Sequence, residues 1–290
     1  VMRTGREIVY GVTGMNWRHY FASQRGQVFN EDTTRLLVRG EAMQRALQFH
    51  HDLLFKRRVM PTSLEAKAMA SQGGWGAGSI NMFADGRFAM YPIDKWVLIR
   101  FRGAHADQVK KGDPSRVLRL GSVPNPHLPG QPPGYGVSAR SVMINSRSPH
   151  RQDALQFLKY LAGPEYSRLI NEGFDALPGN PEYAMLGVQD GVPDLAELEM
   201  HQNVMYAMKY GHRDQQSPFL LDTDVDRIMW NQISRMESAP TLPIADLVAT
   251  AETDLIALMQ RNINRSPELR QRYRELTGTD NVAEGHRRAP

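Results

Sequence analysis

The apolar positions change their spacing from segment to segment, and each spacing predicts an element. From Glu41 to Arg58, residues Met43, Ala46, Leu47, Phe49, Leu53 and Leu54 follow helical spacing. Lys56-Arg57-Arg58 falls in the last turn of that helix, where cations complement the dipole, and Pro61 ends it. From Thr241 to Asn262, residues Ile244, Leu247, Val248, Ala251, Leu255, Leu258 and Met259 make the clearest amphipathic stripe. Residues 194–210 and 224–237 also read as helices. Ser148-Pro149 supplies a cap and a first-turn proline for a helix through Ala154, Leu155, Phe157, Leu158 and Leu161 to Gly163. Pro164 opens the next helix, which stops at Gly173.

Shorter apolar runs lie between these stretches. Residues 1–29 read as strand and loop pieces around Gly11, Gly14 and Gly26. Phe88-Ala89-Met90-Tyr91 follows the turn Ala84-Asp85-Gly86-Arg87 as a strand, and Trp96 to Phe101 is a second apolar run. Val117–Leu120 reads as a strand inside a proline-rich crossing region, and Val142-Met143-Ile144 reads as a buried strand. Thr277–Pro290 reads as a frayed tail. Strands scattered among helices predict an α/β fold.

Composition narrows the chemistry. The 290 residues include no cysteine, which excludes a disulfide scaffold, a thiolate nucleophile and a cysteine-ligated zinc or iron–sulfur site. Against 31 Asp+Glu stand 35 Lys+Arg, a net charge of +4, too thin an excess to mark a nucleic-acid face. Hydrophobic residues are 41 % and charged residues 23 %, the composition of an ordinary globular chain.

Catalytic motifs fail on inspection. In Gly74-Trp75-Gly76-Ala77-Gly78-Ser79 the third glycine of a dinucleotide loop falls on Ser79. Gly136-Val137-Ser138-Ala139-Arg140 places Arg140 where a nucleophile elbow needs glycine. Asp222-Thr223-Asp224-Val225-Asp226 opens like a calcium loop, but Arg227 and Ile233 occupy the positions of its glycine and its bidentate glutamate. Calcium is therefore disfavoured, and a solvated helix start with acids near the positive end of the dipole is the favoured reading of that run. His50 and His51 are adjacent on a helix and point in different directions. What remains is a set of aromatics beside glycine or carboxylate: Trp75 in a glycine loop, Trp96 after Asp94-Lys95, and Tyr135 between Gly134 and Gly136. A flat ring with polar neighbours suits a sugar, whose C–H face stacks while its hydroxyls are hydrogen-bonded. Each ring could equally belong to the core.

The order of these segments resembles a known family. Phe83-Ala84-Asp85-Gly86-Arg87-Phe88-Ala89-Met90, followed by Trp96, is similar to the F-x-x-G-x-x-A-M…W stretch of family 1 extracellular solute-binding proteins. These are the maltose-binding-like sugar receptors of ABC importers. Gly136–Ile144, Ser146–His150, the Ala154–Leu161 helix, Gly163-Pro164-Glu165 and Gly173–Pro178 resemble the next block of that family. The Trp230 and Thr241–Asn262 helices resemble its closing pair. The resemblance implies a periplasmic-binding-protein-like, two-lobed clamshell of type II that closes on a carbohydrate and is read by the membrane permease subunits. By matching position it implies that Trp96 stacks on sugar, with Tyr135, Trp75 and Trp17 as further ring candidates and Asp94, Asp222 and Asp224 as acceptors for hydroxyls.

In that family's layout the chain begins within the second lobe, so the first lobe is expected to be incomplete. The expected division is residues 1–137 as most of the second lobe, 138–180 as a return segment of the first, 181–265 as helices packing on the second, and 266–290 as an extra, partly disordered tail. The strand and helices of 138–180 would then lack sheet partners. A monomer in the periplasm or outside the cell, free or lipid-anchored, with no cofactor, no metal and no nucleic-acid partner, completes the expectation. Two other readings stand beside it. One is a carbohydrate-active enzyme pairing Asp94 with Asp222 or Asp224, whose carboxylates would need to lie about 5–10 Å apart. The other is an interaction module that has kept the fold without transport.

Overall fold

The computed structural model describes residues 2–4, 7–69, 77–110, 112, 119–137, 141–188, 195–213 and 215–288. The first part of the chain carries β1 (Met2–Thr4), β2 (Glu7–Val12), α1 (Trp17–Ser23), α2 (Glu41–His51), α3 (Ser63–Met69), α4 (Ala77–Ala84), β3 (Phe88–Met90) and α5 (Val97–Lys110). The two-residue strand β4 (Tyr135–Gly136) precedes α6 (Arg151–Leu161), α7 (Pro164–Gly173) and α8 (Leu195–Lys209). The last part is helical: α9 (Asp222–Ser238), α10 (Ile244–Arg265), α11 (Pro267–Thr277) and α12 (Val282–Arg288).

The chain divides into two compact units. One comprises residues 1–14, 68–125 and 138–211, and the other comprises 15–67, 126–137 and 212–290. Among the described residues, 141–180 fall in the same unit as Trp96, and 266–288 fall in the other.

In the first unit β2 is the central strand of three. It pairs antiparallel with β1, Arg3 opposite Ile8, and parallel with β3, Tyr10 opposite Phe88 and Val12 opposite Met90. The strand expected at Phe88 is thus present. Its turn is closed by Gly86 at φ 74°, a left-handed conformation that glycine adopts without steric cost. Tyr10, Met82 and Phe88 form a small apolar cluster between the sheet and α4. A larger one joins α4, α5 and α8 through Ile80, Val97, Leu98, Phe101, Phe174, Val188 and Met200. The apolar run from Trp96 to Phe101 is therefore the start of α5. Asn171 on α7 donates to the carbonyls of Tyr183 and Leu186, both at 2.8 Å, which anchors the segment after that helix.

Two expectations for this unit are corrected. Val142–Ile144 forms no strand, and Val142 and Met143 are 60 % and 87 % exposed. An apolar triplet becomes a buried strand only where a neighbouring strand takes up its backbone groups. The following helix starts at Arg151, three residues beyond the proposed serine cap, although Ser148 Oγ does accept from the His150 amide at 3.1 Å.

In the second unit α2 continues as a π-helical turn over Asp52–Lys56. The expected helix over 41–58 is thus present, with its last turn widened. Residues 17–23, read as strand and loop, are helix α1. Asn16 Oδ1 caps the amides of Arg18 and His19, and His19 Nδ1 reciprocates to the Asn16 amide. A β-carbon on Gly26 would lie 2.3 Å from the ring of Phe21, so only glycine fits where the chain turns back on α1.

The stripe expected on α10 is buried as Leu247, Val248, Ala251, Leu255 and Met259, and it extends to Ile263. Helices α2, α9, α11 and α12 surround it. The frayed tail is a further correction. Ser266 Oγ caps α11 through the Leu269 amide, and Tyr273 and Val282 are fully buried with Phe219, Met259 and Ile263. The sparse apolar content of 266–288 is concentrated at the positions that meet α10, so burial of a few large side chains orders the segment.

Candidate functional site

Two of the expected site residues, Asp94 and Trp96, sit at the start of α5. The Asp94 and Lys95 carbonyls accept from the amides of Val97 and Leu98 at 3.0 and 3.1 Å, and this starts the helix. Asp94 is exposed and Trp96 is half-buried. The indole Nε1 donates to Asp94 Oδ2 at 3.3 Å, while the ring packs against the Phe101–Phe174 cluster. A flat ring and a carboxylate are therefore presented together at one surface.

Between them Lys95 turns inward and is 6 % exposed. Its Nζ donates to the Ala176 carbonyl at 2.5 Å and lies 5.4 Å from the centre of the Phe174 ring. Burial lowers its pKa to about 8, opposed by the charge of Asp175 and reinforced by that of Arg102.

Sequence reading missed the group around Phe174. Helix α7 ends at Gly173, but the left-handed residue that follows is Phe174, at φ 55°. A side chain in that conformation costs roughly 1–2 kcal/mol, which is why glycine is usual there. Here the ring is fully buried, with the Arg102 guanidinium 4.3 Å from its centre and the His201 ring edge-on at 5.8 Å. Arg102 also makes a two-pronged pair with Glu197, at 2.8 and 2.9 Å, and donates to the Glu172 carbonyl at 3.0 Å. His201 Nε2 meets the Ala184 carbonyl at 2.8 Å, and burial together with Lys95 lowers its pKa. A glycine followed by a large aromatic at a helix end is the one local signal that could have pointed here.

The other expected residues are placed differently. Trp17 is fully enclosed, its ring 5.7 Å from that of Phe21 and covered by Arg18 at 4.9 Å. As the first residue of α1 it faces the core of its unit. Tyr135 is buried in the second unit beside α1. A β-carbon on the neighbouring Gly134 would come 2.2 Å from the Ala22 carbonyl, so glycine permits this close approach. Trp75 lies outside the described residues.

Asp222 and Asp224 lie in the first turn of α9. Asp222 accepts from Gln216, Asp224 from Arg227 at 3.1 Å, and Asp226 pairs with Arg18 at 2.5 Å. Among the described residues no group of three or more metal-ligating side chains occurs. Asp94 and Trp96 thus belong to one unit, and Tyr135, Asp222 and Asp224 to the other.

The chain has the α/β fold of two-lobed, type II periplasmic binding proteins, as comparison with solved structures shows. No protein-family model matches the chain, and no curated protein matches it by sequence. The sugar-binding protein MalE of Xanthomonas citri superposes with a TM-score of 0.66 at 14 % identity, over 87 % of this chain and 59 % of that one. The maltotriose-binding protein of Thermus thermophilus, bound to maltotriose, gives 0.58 at 20 % identity, over 90 % of this chain and 63 % of that one. The ABC substrate-binding protein Lmo0181 of Listeria monocytogenes, in complex with cycloalternan, gives 0.59 at 17 % identity, over 87 % and 59 %. This chain therefore spans about three-fifths of the length of the structures it matches. Among the described residues no helix is long and apolar enough to cross a membrane.

Proposed function

We propose that this chain is the solute-capturing component of an ABC importer, taking up a carbohydrate or related polar solute for delivery to the membrane permease subunits. The pairing of Trp96 with Asp94 carries the reading. A half-exposed indole offers its face to the C–H face of a sugar, and the adjacent carboxylate accepts hydroxyl hydrogen bonds. The fold shared with sugar-binding proteins supports it. Tyr135, Trp75, Asp222 and Asp224 are the proposed further contributors. Such a role requires neither cofactor nor catalytic residue, and it places the protein in the periplasm or outside the cell, as a monomer.

Calorimetric titration with maltose, maltotriose and cycloalternan tests the proposal. At least one should bind. Trp96→Ala should weaken that binding about tenfold or more, equivalent to ~1.4 kcal/mol, and Asp94→Asn by a smaller factor. Absence of binding across a wider sugar panel, or a Trp96→Ala variant of unchanged affinity, would overturn it.

A further inference from the structure

We infer that Lys95 is a positioning residue: its buried ammonium clamps the Asp94–Trp96 turn onto the end of α7 and so sets the pose in which the indole and carboxylate meet a solute. The inference deepens the sugar-binding reading and rests on it for its binding arm alone.

The geometry is that of a tether. Asp94, Lys95 and Trp96 are consecutive, and the middle side chain points inward while its neighbours remain at the surface. Its Nζ reaches the Ala176 carbonyl at 2.5 Å, 81 positions along the chain, and lies over the Phe174 ring. That ring is itself held from the other elements. Arg102 of α5 lies 4.3 Å from its centre, and His201 of α8 meets its edge. Arg102 is fixed in turn by Glu197 of α8 and by the Glu172 carbonyl of α7. A lysine enclosed this way loses side-chain freedom and hydration, and it keeps its place through a charge-assisted bond and a cation–π contact. An apolar residue of similar length would fill the space but hold neither partner. The turn would then be free to rotate about the start of α5, and the Trp96 indole would leave Asp94.

The charge of the tether also gives it a distinctive pH window. The charged and titratable groups facing Lys95 are Asp175, beyond α7, Arg102 on α5 and His201 on α8, with Glu197 of α8 paired to Arg102 behind them. The ammonium is lost near pH 8, and with it the cation–π contact and the charged donor. His201 titrates below the ordinary histidine value, outside this window. The pose of Trp96 should therefore change once, around pH 8, on the alkaline side of neutrality.

The test uses the full chain labelled with 5-fluorotryptophan. The fluorine resonance of Trp96 is assigned by its loss in Trp96→Phe. In wild type that resonance should move with a midpoint near pH 8. In Lys95→Met, shown to be folded by circular dichroism, it should sit at the high-pH position throughout. Maltotriose affinity should fall several-fold in wild type between pH 7 and pH 9.5, and Lys95→Met should be weak and independent of pH. A flat wild-type profile from pH 7 to 10 would overturn the inference, and that arm requires no variant to fold. A Lys95→Met protein with the wild-type resonance at pH 7 would overturn it as well. If no sugar binds but the resonance titrates and responds to Lys95→Met, the sugar-binding reading falls and the clamp stands.

Discussion

Helix α10 buries Leu247, Val248, Ala251, Leu255, Met259 and Ile263 along one stripe, whereas α6, with an apolar stripe of its own, buries no side chain. The difference lies in the surroundings. Helices α2, α9, α11 and α12 pack on α10, each with a face to contribute. The chief neighbour of α6 is α7, which it meets through Tyr160 and Tyr166 at 5.8 Å, while Leu155 and Phe157 remain exposed. The extended residues before α6, Val142 and Met143, are exposed too. Amphipathicity shows that a helix has a face to bury. It does not supply the partner, and burial rather than periodicity contributes the stability.

The largest test of this contrast is at Tyr273. Its ring lies fully buried and edge-on to Phe219 at 5.2 Å, and its hydroxyl donates to the carbonyls of Thr34 and Val282. Tyr273→Ala should cost about 3–5 kcal/mol in urea melts, the range for deleting a large buried ring. A loss under about 1 kcal/mol would show that α11 and α12 do not belong to the core.

Acid should act on the same packed unit. His50, on α2, is buried, and among the described residues neither ring nitrogen has a hydrogen-bond partner. Burial, with a smaller contribution from the His51 charge, lowers its pKa from 6.5 to about 4. The folded protein thus prefers the neutral ring. The stability linked to this group is fully present above pH 6.5 and is lost as the pH falls through that value towards 4, by about 3 kcal/mol. His50→Leu should flatten that part of the stability profile measured by urea melts between pH 7 and 4.5. An unchanged slope would remove His50 as the cause.

A smaller effect is expected where α11 begins. Ser266 Oγ accepts from the Leu269 amide at 3.2 Å, and Ser266→Ala should cost about 0.5–2 kcal/mol, a cap's usual worth. No change in the denaturation midpoint would mean that packing alone holds the helix start. The smallest effect belongs to α6. Phe157→Ser should change stability by about 0.5 kcal/mol or less while reducing the fluorescence of a bound hydrophobic dye. A loss above about 2 kcal/mol would show that Phe157 is covered in solution and would erase the contrast with α10.

How much of this was legible depends on the range of the interactions. The stripe on α10, the start of α7 at Pro164 and the strand at Phe88 could all be read because spacing and caps are local. Helix α1 could have been found, since Trp17, Tyr20 and Phe21 follow helical spacing behind the capping Asn16, but its aromatics read as strand. Trp96 and Asp94 could be singled out as candidates from a motif and an adjacent carboxylate. Trp17 carried the same kind of signal and proved to be core, because ring exposure depends on what packs over it. Lys95 escaped attention altogether, because nothing local says that a lysine will reach a carbonyl 81 residues away.

By itself the sequence established an α/β chain without thiol chemistry, the main helices, and the resemblance that singled out Trp96. Those features follow from residue type and from spacings within a turn or two. Tertiary structure alone decided which amphipathic faces found partners, that residues 266–288 complete a core, and that Trp17 is fully buried while Trp96 is only partly so. It also brought Lys95, Arg102, Phe174 and Glu197 together. Those outcomes depend on contacts between distant segments, where burial and desolvation act on whichever side chains the fold makes neighbours.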